Sequence, residues 1–171
     1  SFTKLFRANA RLKKLKGKIG SKVLLTIKTA ENKLVEKTIV RDVIKLKSVA
    51  AYDMIDDRIG YIKLTTFSSS TDKEIVTALN SLKERGMSKL ILDLRFNGGG
   101  YLHQAIHVAD QFLDKHQMIV YTKGAHTKKE SQFASEKGAF KSGDLVILVN
   151  STTASASEIV SGAIQDHKRG V

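Results

Sequence analysis

The chain has 171 residues and no cysteine, and its 29 Lys and Arg against 17 Asp and Glu give a formal net charge of +12. An apolar content of 42% supports one sizeable core, or one domain with an appendage; no stretch approaches the roughly 20 apolar residues of a membrane span, and the missing cysteines leave the redox compartment undecided. The charge raises nucleic acid as a partner, but beyond a cluster at Lys13, Lys14, Lys16, Lys18 and Lys22 the basic residues are scattered as far as Arg169 and no aromatic strand face offers a base-stacking platform, so no nucleic acid is expected and the basic surface fits weak attraction to acidic membranes or substrates.

The first residue is Ser1, as expected of a mature or trimmed piece without a signal peptide. From Phe2 to Lys16, Leu5, Phe6, Ala8, Leu12 and Leu15 make a rough helical stripe among basic residues, punctuated by Gly17 and Gly20. Val23–Ile27 and Leu34–Val40, joined by a turn from Ala30 to Lys33, read as a hairpin. Arg41–Ile44 and Val49 lead into a connecting strand, and Arg58–Leu64 alternates as a half-buried strand. Asp72–Arg85 carries Ile75, Val76, Leu79 and Leu82 on one side and stops at Gly86, as an amphipathic helix does. Lys89–Leu94 is the next strand, followed by Arg95-Phe-Asn-Gly-Gly-Gly100 and a helix with Leu102, Ala105, Ile106, Ala109 and Phe112. A strand at Met118–Thr122, a polar excursion from Lys123 to Gly143, a buried strand at Leu145–Val149 and a helix with Ile159, Val160, Ala163 and Ile164 complete the α/β pattern.

Two stretches carry candidate chemistry. Gly98–Gly100 lets the backbone approach a ligand closely, or simply packs a strand tightly against a helix; neither G-K-[S/T] nor G-x-G-x-x-G is present, so a phosphate cradle has no support. Ser155 and Glu158 form the S-x-x-E pattern of a capping box. A serine at a strand-to-helix turn also lies at the positive end of the helix, where the following N–H, that of Ala156, could stabilise an oxyanion. Cap and nucleophile are compatible readings. His103 and His107 are four apart on a helix but lack the glutamate of H-E-x-x-H, so no metal is expected. His167 and Asp166 would be about 18 and about 16 Å along a continuous helix from Ser155, too far for direct contact.

The run Leu148–Gly170, containing Ala154-Ser-Ala-Ser-Glu158, resembles the signature of the carboxyl-terminal processing (tail-specific) serine peptidases, and Leu92-Asp-Leu-Arg-Phe-Asn-Gly-Gly-Gly100 resembles their second signature. The resemblance implies Ser155 as nucleophile, Gly100 and Ala156 as oxyanion N–H donors and Gly99 as the residue that keeps the loop open. Glu158 and Asp166 match acidic positions of the motif and are read as structural, a capping partner and a helix-end contact. Leu15–Ile27 is similar to the last helix and following strand of the PDZ domain these peptidases carry, although its carboxylate-binding loop is not recognisable upstream; residues 1–44 are therefore either a partial PDZ-like segment with a connector or a small helix-hairpin module.

The implied fold is a crotonase-like α/β peptidase core over 45–171, incomplete at its C-terminus. The implied reaction is hydrolysis of proteins near their C-termini through an acyl-enzyme, activated by a serine–lysine dyad and needing no cofactor or metal. That lysine belongs to a Gly-Lys-Gly segment after the nucleophile helix and the next strand, which the sequence does not reach before Val171, so residues 1–171 alone are expected to be inactive. The resemblance also implies unfolded or tagged protein C-termini as partners and a periplasmic or cell-envelope location, and leaves a homo-oligomer open. A non-catalytic peptide-binding protein of the same fold and a crotonase-like thioester enzyme are the alternatives.

Overall fold

Burial alternates along Ile59–Leu64 and along Lys89–Leu92 and sets the frame, because in a strand every second side chain points to the same face. The structure is a computed structural model describing residues 15–43, 47–125 and 128–171, and it divides into two compact units, Ser1–Lys45 and Leu46–Val171. In the first unit, β1 (Lys22–Lys28) and β2 (Leu34–Val40) pair antiparallel as the expected hairpin. Arg41 ties it to the preceding segment by donating to the Leu15 and Lys22 carbonyls and the Ser21 hydroxyl. The helix expected from Phe2 lies, but for its last residues, outside the described residues.

The second unit is built on a four-stranded sheet ordered β3 (Val49–Met54), β4 (Ile59–Leu64), β5 (Lys89–Asp93), β8 (Asp144–Leu148). β3 is antiparallel to β4, while β4, β5 and β8 run parallel, so their carboxyl ends share one edge. The crossovers are the helices α1 (Thr71–Glu84) and α2 (Leu102–Asp110), and α3 (Ala156–Asp166) follows β8. Ile75, Ala78, Leu79 and Leu82 of α1 are fully buried, as are Ile62, Leu64 and Leu92 of the sheet and Ala105 and Val108 of α2. The opposite face, with Tyr61, Lys63, Ile91 and Val146, is only half-buried; β4 places the polar Lys63 there, while β5 and β8 place the apolar Ile91 and Val146.

Helix α1 ends where the sequence placed its stop. Gly86 adopts φ +95, its N–H donates to Lys83 O and the Met87 N–H to Leu82 O, with buried Met87 and Leu82 closing the apolar contact of a Schellman motif. The polar excursion after β6 (Met118–Thr122) holds a strand the sequence did not show: β7 (Glu130–Phe133) pairs antiparallel with β6. Glu-Ser-Gln-Phe has neither the β-branched residues nor the apolar alternation that marks a strand, and pairing with β6 supplies the order instead. After α3 the chain turns back at Lys168, φ +52, and Val171 exchanges hydrogen bonds with Leu145 and Ile147 along β8. Arg169 secures that return by donating to the carbonyls of Phe112, Phe140 and Gly143.

The carboxyl ends of β4 and β5 are clamped by Asp93, whose side chain is 1% exposed. Its carboxylate accepts the Tyr61 hydroxyl at 2.7 Å, Lys63 Nζ at 2.9 Å and Arg95 Nη2 at 2.6 Å. Burial pushes the Asp93 carboxyl up, but hydrogen bonds from Arg95, Tyr61 and Lys63 outweigh it and hold the group well below the usual carboxylate range. A depressed folded pKa contributes stability that is complete above the unfolded value of about 3.9 and fades as pH falls below it. Asp93→Asn should therefore cost about 3 kcal/mol near pH 7, the scale for breaking a buried pair. Urea melts of wild type and variant across pH should show the gap closing in strong acid; a gap independent of pH would mean that the charge of Asp93 contributes nothing.

Candidate active site

Two loops meet at the shared carboxyl edge of the sheet. The first, Arg95–Tyr101, leaves β5; the second, Val149–Ser155, leaves β8 and opens α3. Asn97 joins them. It is fully buried, its Nδ2 donates to Leu64 O at the end of β4, and its Oδ1 accepts the Gly99 N–H. Its carbonyl accepts both the Ala154 N–H at 3.1 Å and the Ser157 hydroxyl at 3.0 Å, so Asn97 reaches β4, the glycine loop and the start of α3 at once. Asn150 makes a second junction, its Oδ1 accepting the Phe96 N–H at 3.0 Å, while the Thr153 hydroxyl donates to Leu94 O.

These junctions hold Gly99 and Ser155 in direct contact. A Cβ on Gly99 would lie 2.9 Å from Ser155 Cβ and 3.0 Å from Ala156 N, inside any tolerable separation. With φ +101 as well, the position admits only glycine without rearrangement. Gly100 continues the loop and is pressed against the Phe67 backbone, with Phe67 N donating to Gly99 O and Tyr101 N to Phe67 O. Both bonds of that bridge use its neighbours, and neither the Gly100 nor the Ala156 N–H has an acceptor among the described residues.

Ser155 is exposed at the amino end of α3, with φ +56 and ψ −115. A non-glycine residue in that conformation carries strain of about 1–3 kcal/mol, which persists only where the surroundings over-determine it. Glu158 supplies part of that determination by accepting the Ser155 N–H at 2.5 Å, so the S-x-x-E pattern closes as a capping box. Such a sharp strand-to-helix turn projects the hydroxyl away from the backbone, the arrangement used to present a nucleophile.

The other candidates lie elsewhere. Asp166 is exposed at the far end of α3, and its carboxylate takes part in no hydrogen bond or ion pair among the described residues. His167 caps that end, its Nε2 2.8 Å from Met118 O, and His103 and His107 are exposed on α2 with ring centres 6.5 Å apart. Lys63 is committed to Asp93 and to Arg95 O, and Lys168 is separated from Ser155 by the whole of α3. No histidine or lysine among the described residues hydrogen-bonds Ser155. Sequence reasoning missed Asn97, Asn150 and Ser157; the only signal was an asparagine next to a glycine run and small polar residues beside a helix start.

A family model described as peptidase family S41 matches residues 58–171. Among curated relatives, the carboxyl-terminal-processing protease of Picosynechococcus sp. is 39% identical over 163 residues, 92% of this chain and 38% of that protein. The carboxy-terminal processing protease CtpA of Bacillus subtilis is 38% identical over 152 residues, 89% of this chain and 32% of that protein. Among solved structures, the photosystem II D1 C-terminal processing protease superposes with a TM-score of 0.67 at 28% identity, covering 91% of this chain and 44% of that one. The chain thus spans well under half the length of the relatives it matches. A match to that family model over residues 58–171, two thirds of the sequence, together with these relatives, places the chain in peptidase family S41.

Proposed function

We propose that the protein to which this chain belongs is a serine endopeptidase that cleaves other proteins near their C-termini, in protein processing or quality control. Ser155 would attack the scissile carbonyl, and the N–H groups of Gly100 and Ala156 would receive the oxyanion, worth about 2.7–4 kcal/mol per donor where such donors have been removed. Gly99 would keep the loop close enough to the serine for both donors to reach one oxygen. A lysine after Val171, desolvated so that its pKa falls, would take the serine proton and return it to the leaving amine. The observation that carries this reading is the contact of Gly99 with Ser155 and Ala156, which sets the second signature against the first.

Residues 45–171 would supply the peptidase core and residues 1–44 a PDZ-derived segment; PDZ domains take peptide C-termini as an added strand. The protein's substrates would be unfolded or tagged protein tails and its location the periplasm or cell envelope; the names of the carboxyl-terminal processing relatives support action at protein C-termini. No described helix is long and apolar enough to cross a membrane. The second reading is a non-catalytic peptide-binding protein of the same fold, in which Ser155 would have no base.

Two experiments separate these. In the complete protein, Ser155→Ala should abolish peptide turnover while costing about 0.5–2 kcal/mol of stability, the loss of a cap; a folded variant that still cleaves at the normal rate would reduce Ser155 to a capping residue, and a wild-type protein that binds tails without cleaving them would establish the second reading. A serine-directed covalent probe should label the complete protein and leave residues 1–171 unlabelled. Equal labelling of both would place the base within residues 1–171 and end the serine–lysine assignment.

A further inference from the structure

Phe96 occupies a position where an aromatic residue is costly. It is the third residue of a turn closed by the Asn97 N–H on Leu94 O, and its φ is +65. Glycine or asparagine suits such a position, and a bulky side chain there is an outlier. Among the described residues the ring gains little burial in return, since Phe96 is 74% exposed. Strain combined with exposure points to a contact made outside the chain.

The backbone beneath the ring is rigid. Asn150 fixes the Phe96 N–H, buried Asn97 follows, and Arg95 before it is ion-paired with Asp93. Three residues on, Gly99 abuts Ser155. Lys63 Nζ lies 5.9 Å from the ring centre and is held there by Asp93 and by Arg95 O. Lys63 and Arg95 share the single carboxylate of Asp93, which leaves one surplus positive charge beside the ring.

From this geometry, and resting on the peptidase reading above, we propose that Phe96 is a specificity-determining residue: its ring is a preformed platform for an apolar side chain of the substrate next to the scissile bond, and the surplus charge beneath it turns away Lys and Arg. An apolar side chain gains by covering the exposed ring, whereas a cation is repelled by Lys63 and Arg95 at short range.

The test uses the complete protein and three tail peptides that differ only in having Leu, Ser or Lys beside the cleaved bond. Preference is read twice, as kcat/KM ratios in the active protein and as Kd ratios in a Ser155→Ala background. Wild type should prefer Leu over Ser by about 10- to 100-fold, the worth of covering one aromatic side chain, and should take Lys least. Phe96→Gly should bring the Leu-to-Ser ratio close to one without lowering Tm, because glycine relieves the strained φ, and Phe96→Leu should restore most of it. An unchanged ratio in Phe96→Gly, or an equal fall for all three peptides, overturns the proposal. The Kd ratios decide the point even if the active protein shows no Ser155-dependent turnover, so failure of the platform and failure of the peptidase reading are told apart.

Discussion

Burying an asparagine with every polar group satisfied is the constraint on which the carboxyl edge of this sheet depends. Asn97 cannot turn to water, so its amide, its side-chain oxygen and its carbonyl must each find a partner within the protein. Leu64, Gly99, Ala154 and Ser157 are those partners, drawn from two segments distant in sequence and from the asparagine's own loop. Satisfying Asn97 fixes where the glycine loop lies relative to the start of α3. Because the bonds share one residue, the loops cannot be displaced separately without stranding a buried polar group, which is how a network of individually modest hydrogen bonds sets a geometry.

The parallel register prepares that meeting. Lys63 stands opposite Asp93, and Asp93 opposite Leu148, so the strands end level and their loops emerge side by side, the place where open α/β sheets put their sites. Asp93 secures the same edge by electrostatics. Its carboxylate gathers donors from β4 and from the glycine loop, and a charge buried with three such partners is far less mobile than a surface ion pair. Among the described residues most lysines are exposed and have no comparable role in the fold.

Much of this was legible in the residues, and what was not has a common cause. Helix α1 declares itself through Ile75, Leu79 and Leu82 and through its glycine stop, and strand β4 through alternation, because burial there follows a local period. Ser155 and Gly98–Gly100 were legible as motifs. Asn97, Ser157 and Arg169 were not, because a polar residue in a loop or helix reads as solvated unless the contact that buries it is known. Those contacts come from far away: Asn97 reaches Leu64 across 33 residues, Ser157 reaches Asn97 across 60 and Arg169 reaches Phe112 across 57. Strand β7 escaped for the same reason, since its order comes from β6 rather than from its own composition.

The two readings of Ser155 that the sequence left open also turn out to depend on one another. Glu158 takes the Ser155 N–H, which removes that group from any set of oxyanion donors and holds the turn in its strained conformation. Among the described residues, the N–H groups left without an acceptor at the helix start and in the glycine loop include those of Ala156 and Gly100. A carboxylate so near a developing negative charge would work against it, but at the first turn of α3 its charge is offset by the helix dipole and by the bond it accepts. The cap is therefore what lets a serine stand at φ +56 with its hydroxyl exposed, and a nucleophile at this turn would rely on the same bond that makes Ser155 look merely structural.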